Sequence, residues 1–333
     1  MNIDPHAPPR PVVFDPVTRD LDVIVGFDGS TQSIHALDYA ALEAQRSGRV
    51  LTVVTASGAP LPVSTAPLPS KLRDEVPGDA AKKILSDARE HLQGYPGRVN
   101  FRTERGDATV VLRELSTVAQ LVIVGARGRG GFLGKIRGSV ATALPAHAQC
   151  PTIVVSGGSA SSETEGAARF VPQSDPRPVV VGIDGSEHSR VAALHAARAA
   201  QDRDATLQLL MTLPSLEGWL DWYPELDPID QGVINRRQSQ LEQSLRAEVA
   251  WLLGHYPGLS VTAAVKPGDA VAQLTKATHD AQLVVVGTRG HGVFTGVLLG
   301  SVSRGVLLRA AGPVMVVPDL QDDRLSDQPG PIR

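Results

Sequence analysis

The chain has 333 residues, 42% apolar and 20% charged, the balance of ordinary globular material rather than of a disordered or membrane-embedded chain. Its 32 lysines and arginines against 35 acidic residues leave a net charge of −3, which offers no general basic excess for a nucleic-acid backbone. Met1 to Asp22 lacks the apolar core of a signal peptide and no apolar run is long enough to span a bilayer. The expectation is a cytoplasmic protein of two domains of about 150 residues each, with no nucleic-acid partner and no membrane insertion.

Residues 1–19 are polar and proline-bearing, which predicts a flexible segment. Beyond them, β-branched runs predict strands at 21–27, 50–56, 99–104, 121–125 and 152–156, with helices near 31–46, 79–93, 107–119 and 139–148. Cys150, the lone cysteine, stands before Pro151 at the start of an apolar strand; it reads as a small core residue, with a reactive thiol as the alternative. Residues 157–177 open on Gly157-Gly158-Ser159-Ala160-Ser161-Ser162 and read as a flexible linker. Strands are predicted again near 178–183, 206–212, 259–265, 282–287 and 313–317. A helix over 233–254 places Leu241, Leu245, Val249 and Leu252 at helical spacing, as a core stripe. Residues 319–333 read as a flexible tail.

The chain repeats itself. Val25-Gly26-Phe27-Asp28-Gly29-Ser30 returns 156 positions on as Val181-Gly182-Ile183-Asp184-Gly185-Ser186. Val122-Ile123-Val124-Gly125-Ala126-Arg127-Gly128 returns 162 positions on as Val284-Val285-Val286-Gly287-Thr288-Arg289-Gly290, and Gly138-Ser139-Val140 returns at the same shift as Gly300-Ser301-Val302. The domains are thus 20–156 and 178–318. Alternating strands and helices imply that each is a doubly wound α/β domain, a parallel sheet with helices on both faces. Ligands of such sheets bind beyond the carboxyl ends of the strands, where the order reverses. The loops after the first strand, at Asp28 and Asp184, and after the fourth, at Gly125 and Gly287, are expected to meet there.

The loop after the fourth strand has one spacing in both halves: Gly125, Gly128, then nine residues, Gly138-Ser139; and Gly287, Gly290, nine residues, Gly300-Ser301. Glycines let successive N–H groups converge on an anion, and a helix start adds unpaired N–H groups and a positive dipole end. The alternative is that these glycines only make turns and each serine only caps its helix. Other phosphate loops do not fit. A Walker A loop needs glycine at Arg129 and Ser or Thr at Ile136, a dinucleotide fingerprint from Gly128 meets Leu133, and the Ser156-Gly157-Gly158-Ser159 stretch follows the last strand rather than the first.

Together with the aspartates and the terminal Cys-Pro-Thr-Ile-Val-Val strand, this spacing resembles the ATP-binding class of universal stress proteins in its tandem form, over nearly all of 20–318. The resemblance implies five-stranded parallel sheets of order 3-2-1-4-5 and pairing of domains through the last strand. It implies one ATP, or a related adenine nucleotide, per domain. Gly26, Asp28, Gly182 and Asp184 would then lie at the ribose or at Mg-bound phosphates, with no metal held by protein ligands alone. Ala56 and Thr212 would meet the adenine, and Val124, Gly125, Val286 and Gly287 the ribose side. Arg127, Gly128, Gly138, Ser139 and Val140, with Arg289, Gly290, Gly300, Ser301 and Val302, would hold the phosphates. For each aspartate a turn or N-cap role is the alternative.

The halves differ in charge. Arg129 faces His291, and Lys135 and Arg137 add charge only to the first loop, where Leu298 and Leu299 stand in the second, so tighter polyphosphate binding is expected in the first half. The segments after the second strands also diverge: 57–79 is proline-rich, whereas 213–232 carries Trp219, Trp222 and Tyr223, as a lid, an interface or simple packing. No second carboxylate or histidine recurs beside the glycine loops, and His35 and His195 do not align under the repeat. A nucleotide-dependent regulatory or stress-response module with an unidentified protein partner is therefore favoured over a slow ATPase or phosphotransferase, and over a scaffold with degenerate sites. Pairing of two chains into a homodimer is left open.

Overall fold

Runs such as Val23-Ile24-Val25 and Val284-Val285-Val286 are apolar at every position because strands of a parallel sheet are covered on both faces. A computed structural model describes residues 11–58, 76–128, 138–157, 166–213, 231–290 and 299–330. After a short β1 (Val12–Val13), the first half runs β2 (Leu21–Gly26), α1 (Thr31–Ser47), β3 (Leu51–Ser57), α2 (Val76–His91), β4 (Val99–Arg105), α3 (Ala108–Leu115), β5 (Ala119–Gly125), α4 (Ser139–His147) and β6 (Thr152–Val155). The second runs β7 (Val179–Gly182), α5 (Glu187–Gln201), β8 (Leu207–Leu213), α6 (Gln231–His255), β9 (Val261–Pro267), α7 (Ala270–Asp280), β10 (Leu283–Gly287), α8 (Ser301–Arg309) and β11 (Val314–Val317). Helix α3 stops short of the predicted 107–119 because Ser116 and Thr117 turn their hydroxyls back onto the carbonyls of Arg113 and Glu114, at 2.6 and 2.7 Å.

Strand order is β4-β3-β2-β5-β6-β11-β10-β7-β8-β9, so each half has the order 3-2-1-4-5 and the two halves form one ten-stranded sheet. Every neighbouring pair is parallel except the seam, where Ile153 of β6 lies opposite Met315 of β11 in antiparallel register. Alternation along the strands feeds two cores: Val23, Val25 and Leu209 face α1, α2, α5 and α6, while Ile24, Val284 and Leu210 face α3, α4, α7 and α8.

The described parts of three segments expected to be flexible are packed. Val12 pairs with Leu320 of β12 (Leu320–Gln321) in a small parallel sheet, and Arg19 is buried with its guanidinium on the carbonyls of Ser116 and Ala119 at 2.7 and 2.8 Å. Within the linker Phe170 is buried edge-on to Tyr95, with ring centroids 5.3 Å apart. The tail is held because its polar groups complete bonds of the second half. Gln328 and Gly330 accept from Arg190 at 2.8 and 3.0 Å, and Asp327 accepts from Trp251 at 2.9 Å. Composition predicts fraying from polarity alone; here the polarity has specific partners.

Candidate functional site

The Asp-Gly-Ser turn after the first strand of each half is built the same way. Asp28 Oδ1 accepts from the Ser30 amide at 3.0 Å, Gly29 takes φ 74°, and Ser30 caps α1 by accepting from the Ser33 amide at 3.2 Å. In the second half Asp184 accepts from the Ser186 amide at 3.0 Å and its hydroxyl at 2.6 Å, and Ser186 caps α5. The serine, not the aspartate, is thus the N-cap, and the aspartate is the turn residue two positions earlier.

The other Asp28 oxygen faces Gly128: a Cβ on that glycine would come within 2.6 Å of Oδ2. Gly290 stands against Asp184 Oδ2 in the same way, and closer still. A side chain on either glycine would have to push the aspartate carboxylate aside, so the loop after the fourth strand lies close against the carboxylate after the first. A Cβ on Gly125 would likewise meet the backbone oxygen of Gln32 at 2.6 Å, so a glycine there lets the strand end pack close to α1.

The loop that leaves β5 returns where the Gly138 amide donates to the Ala126 carbonyl at 3.0 Å; in the second half Gly300 donates to Thr288 at 2.7 Å. Gly138 and Gly300 are themselves the N-caps of α4 and α8, with no side-chain cap bond. Ser139 and Ser301 are therefore the first helical residues and not caps, which removes the purely capping alternative. Among the described residues no side chain caps either helix start. Residues 129–137 and 291–298 lie outside the described residues, and with them Arg129, Lys135, Arg137, His291 and Leu298. The same holds for Trp219, Trp222 and Tyr223.

In the second half these parts enclose a cavity of 710 Å³ whose wall includes Gly182, Asp184, Thr212, Val286, Gly287, Arg289, Gly290, Gly300, Ser301 and Val302. In the first half Gly26, Val124 and Gly125 end the central strands and Asp28, Gly128 and Gly138 meet as described, while Ala56 is partly buried near the end of β3, opposite Glu104. Arg127 is exposed; Arg289 is partly buried, and its Nε has no hydrogen-bond partner among the described residues. Arg304, one turn after Ser301, also lines the cavity and was not anticipated. The repeat offered the signal, since Thr142 stands at its place in the first half. Cys150 is fully buried and its thiol is pushed up to about 12 by burial, which settles it as a core residue. Among the described residues no group of three or more His, Cys, Asp or Glu is placed to hold a metal, and no helix is long and apolar enough to cross a membrane.

A doubly wound sheet repeated in one chain, with a cavity at the switch point of its second half, defines a tandem α/β protein. The chain belongs to the universal stress protein family: the model of that family matches residues 22–156 and 176–318. A universal stress protein of Mycobacterium tuberculosis strain H37Rv is 31% identical over 310 residues, covering 89% of this chain and 96% of that one. One from Mycolicibacterium smegmatis is 33% identical over 305 residues, covering 89% and 96%. The crystal structure of a universal stress protein from Archaeoglobus fulgidus shares the fold at a TM-score of 0.62 and 16% identity, covering 92% of this chain and 99% of that one.

Proposed function

We propose that each half binds one adenine nucleotide, ATP by the family resemblance, and that the chain acts as a nucleotide-dependent regulatory module. The observation that carries this reading is the repeated contact of an aspartate with a glycine across the switch point, at Asp28 with Gly128 and at Asp184 with Gly290. It makes a narrow cradle between a carboxylate and a glycine loop, beside a helix start without a side-chain cap. One carboxylate together with phosphate oxygens is a donor set suited to magnesium, so Asp28 and Asp184 are the residues that would reach an ion arriving with the phosphates. Thr212, in the cavity wall, and Ala56, its counterpart in the first half, would meet the base, and Arg289 and Arg304 supply positive charge to the second site. Arg304 offsets part of the charge advantage expected for the first half.

Purified protein, denatured and analysed for released nucleotide, is expected to yield ATP or ADP, or, if isolated empty, to gain thermal stability on adding MgATP. Protein that is empty and indifferent to MgATP would contradict the proposal.

A further inference from the structure

A second cavity, of 610 Å³, lies at the amino ends of β7, β10 and β11, the opposite edge of the second half from the first. The repeat explains why it exists. In the first half the corresponding space is taken by the buried guanidinium of Arg19, donating to the carbonyls of Ser116 and Ala119. Under the two shifts Asp175 stands at the place of Arg19, Thr278 and Ala281 at those of Ser116 and Ala119, and Gly312 at that of Cys150. Asp175 is shorter and turns aside to Arg177, whose Nε and Nη2 reach it at 3.0 and 2.6 Å. The plug is gone, and a cleft between the halves remains.

Its charge is unbalanced. Arg46, Arg169, Arg177 and Arg203 line it, against Asp175 in the wall and Glu43 just behind. Arg46 and Arg203 share a single oxygen, Glu43 Oε1, at 2.8 and 2.6 Å. Arg169 lies over the ring of Phe170, and its Nε has no hydrogen-bond partner among the described residues. Four guanidiniums thus meet three carboxylates, Asp175, Glu43 and, near Arg177, Asp280, in a concave site where planar N–H forks suit oxyanions.

We propose that this interdomain cleft binds a small organic dianion, a dicarboxylate or a phosphate monoester, which bridges α1 of the first half to the linker and Arg203 of the second. The binding is independent of the nucleotide sites. Isothermal titration of the full chain with succinate and with glycerol 2-phosphate, each against sodium chloride at matched ionic strength, tests it. At least one probe is expected to saturate at one site per chain, and the arm that titrates identifies the anion's chemistry. Arg169→Gln should weaken binding about 10-fold. Ser174→Glu, at an exposed position on the cleft wall, should do the same by repulsion while leaving the circular dichroism spectrum unchanged. Gly290→Ala, which disturbs only the cavity at Asp184, should leave it intact. No binding beyond the salt control, binding that survives both cleft variants, or binding lost in Gly290→Ala would overturn the proposal.

Discussion

At the scale of residues, the paired loops were legible where chemistry leaves few choices. Glycines at fixed spacing and an aspartate after the first strand could be read, because a side chain on such a glycine would press on the carboxylate. Which residue caps α4 and α8 could not, since glycine and serine both serve as N-caps and only the backbone angles separate them. Arg304 escaped because one arginine on a helix looks like any solvated charge until the cavity places it. Cys150 gives a direct check. Its thiol should resist a disulfide reagent in the folded protein and react at full rate in denaturant, whereas fast labelling of the native chain would contradict its burial.

His195 supplies a pH test at the same scale. It lies on α5, edge-on to Phe14 at 5.6 Å, and burial lowers its pKa to about 4, with Asp322 opposing and Arg324 and Arg49 adding to the effect. The unfolded chain takes up the proton near the ordinary 6.5 and the folded one only near 4, so its contribution is full above pH 6.5 and is lost as pH falls. The loss is roughly 2–3 kcal/mol across that window. Urea midpoints at pH 7 and 4.5 should therefore differ less in His195→Leu than in the unaltered protein. An equal difference in both would count against the assignment.

At the scale of elements, strands and helices were recovered because a buried parallel sheet imposes long apolar runs and its crossover helices impose periodicity. The terminal straps were missed because their contacts are individual pairings with no period. The tail gathers several: Leu320 is buried, Trp251 donates to Asp327, and Arg190, itself bound to buried Glu248 at 2.7 Å, uses Gln328 and Gly330 to complete its bonds. Deleting residues 320–333 should destabilise the second half by about 3 kcal/mol or more, read as a lower urea midpoint. A deletion with an unchanged midpoint would show that these bonds contribute nothing net.

At the scale of the whole molecule, duplication within one chain lets the last strand of each half cover the other. The β6–β11 seam removes two apolar sheet edges, and the strands left outside, β4 and β9, carry Arg102, Glu104 and Lys266. Beside the seam Arg203 donates to Glu43 and Tyr39 at 2.6 and 3.0 Å, joining the halves through a buried ion pair. The halves keep separate loops at their strand ends, so the two proposed nucleotide sites are expected to fail one at a time. Titration of MgATP into the unaltered chain and into Gly128→Ala and Gly290→Ala tests this most directly. The expected result is two sites per unaltered chain and one in each variant, because a Cβ at either glycine collides with its aspartate. Undiminished stoichiometry in both variants would contradict the account.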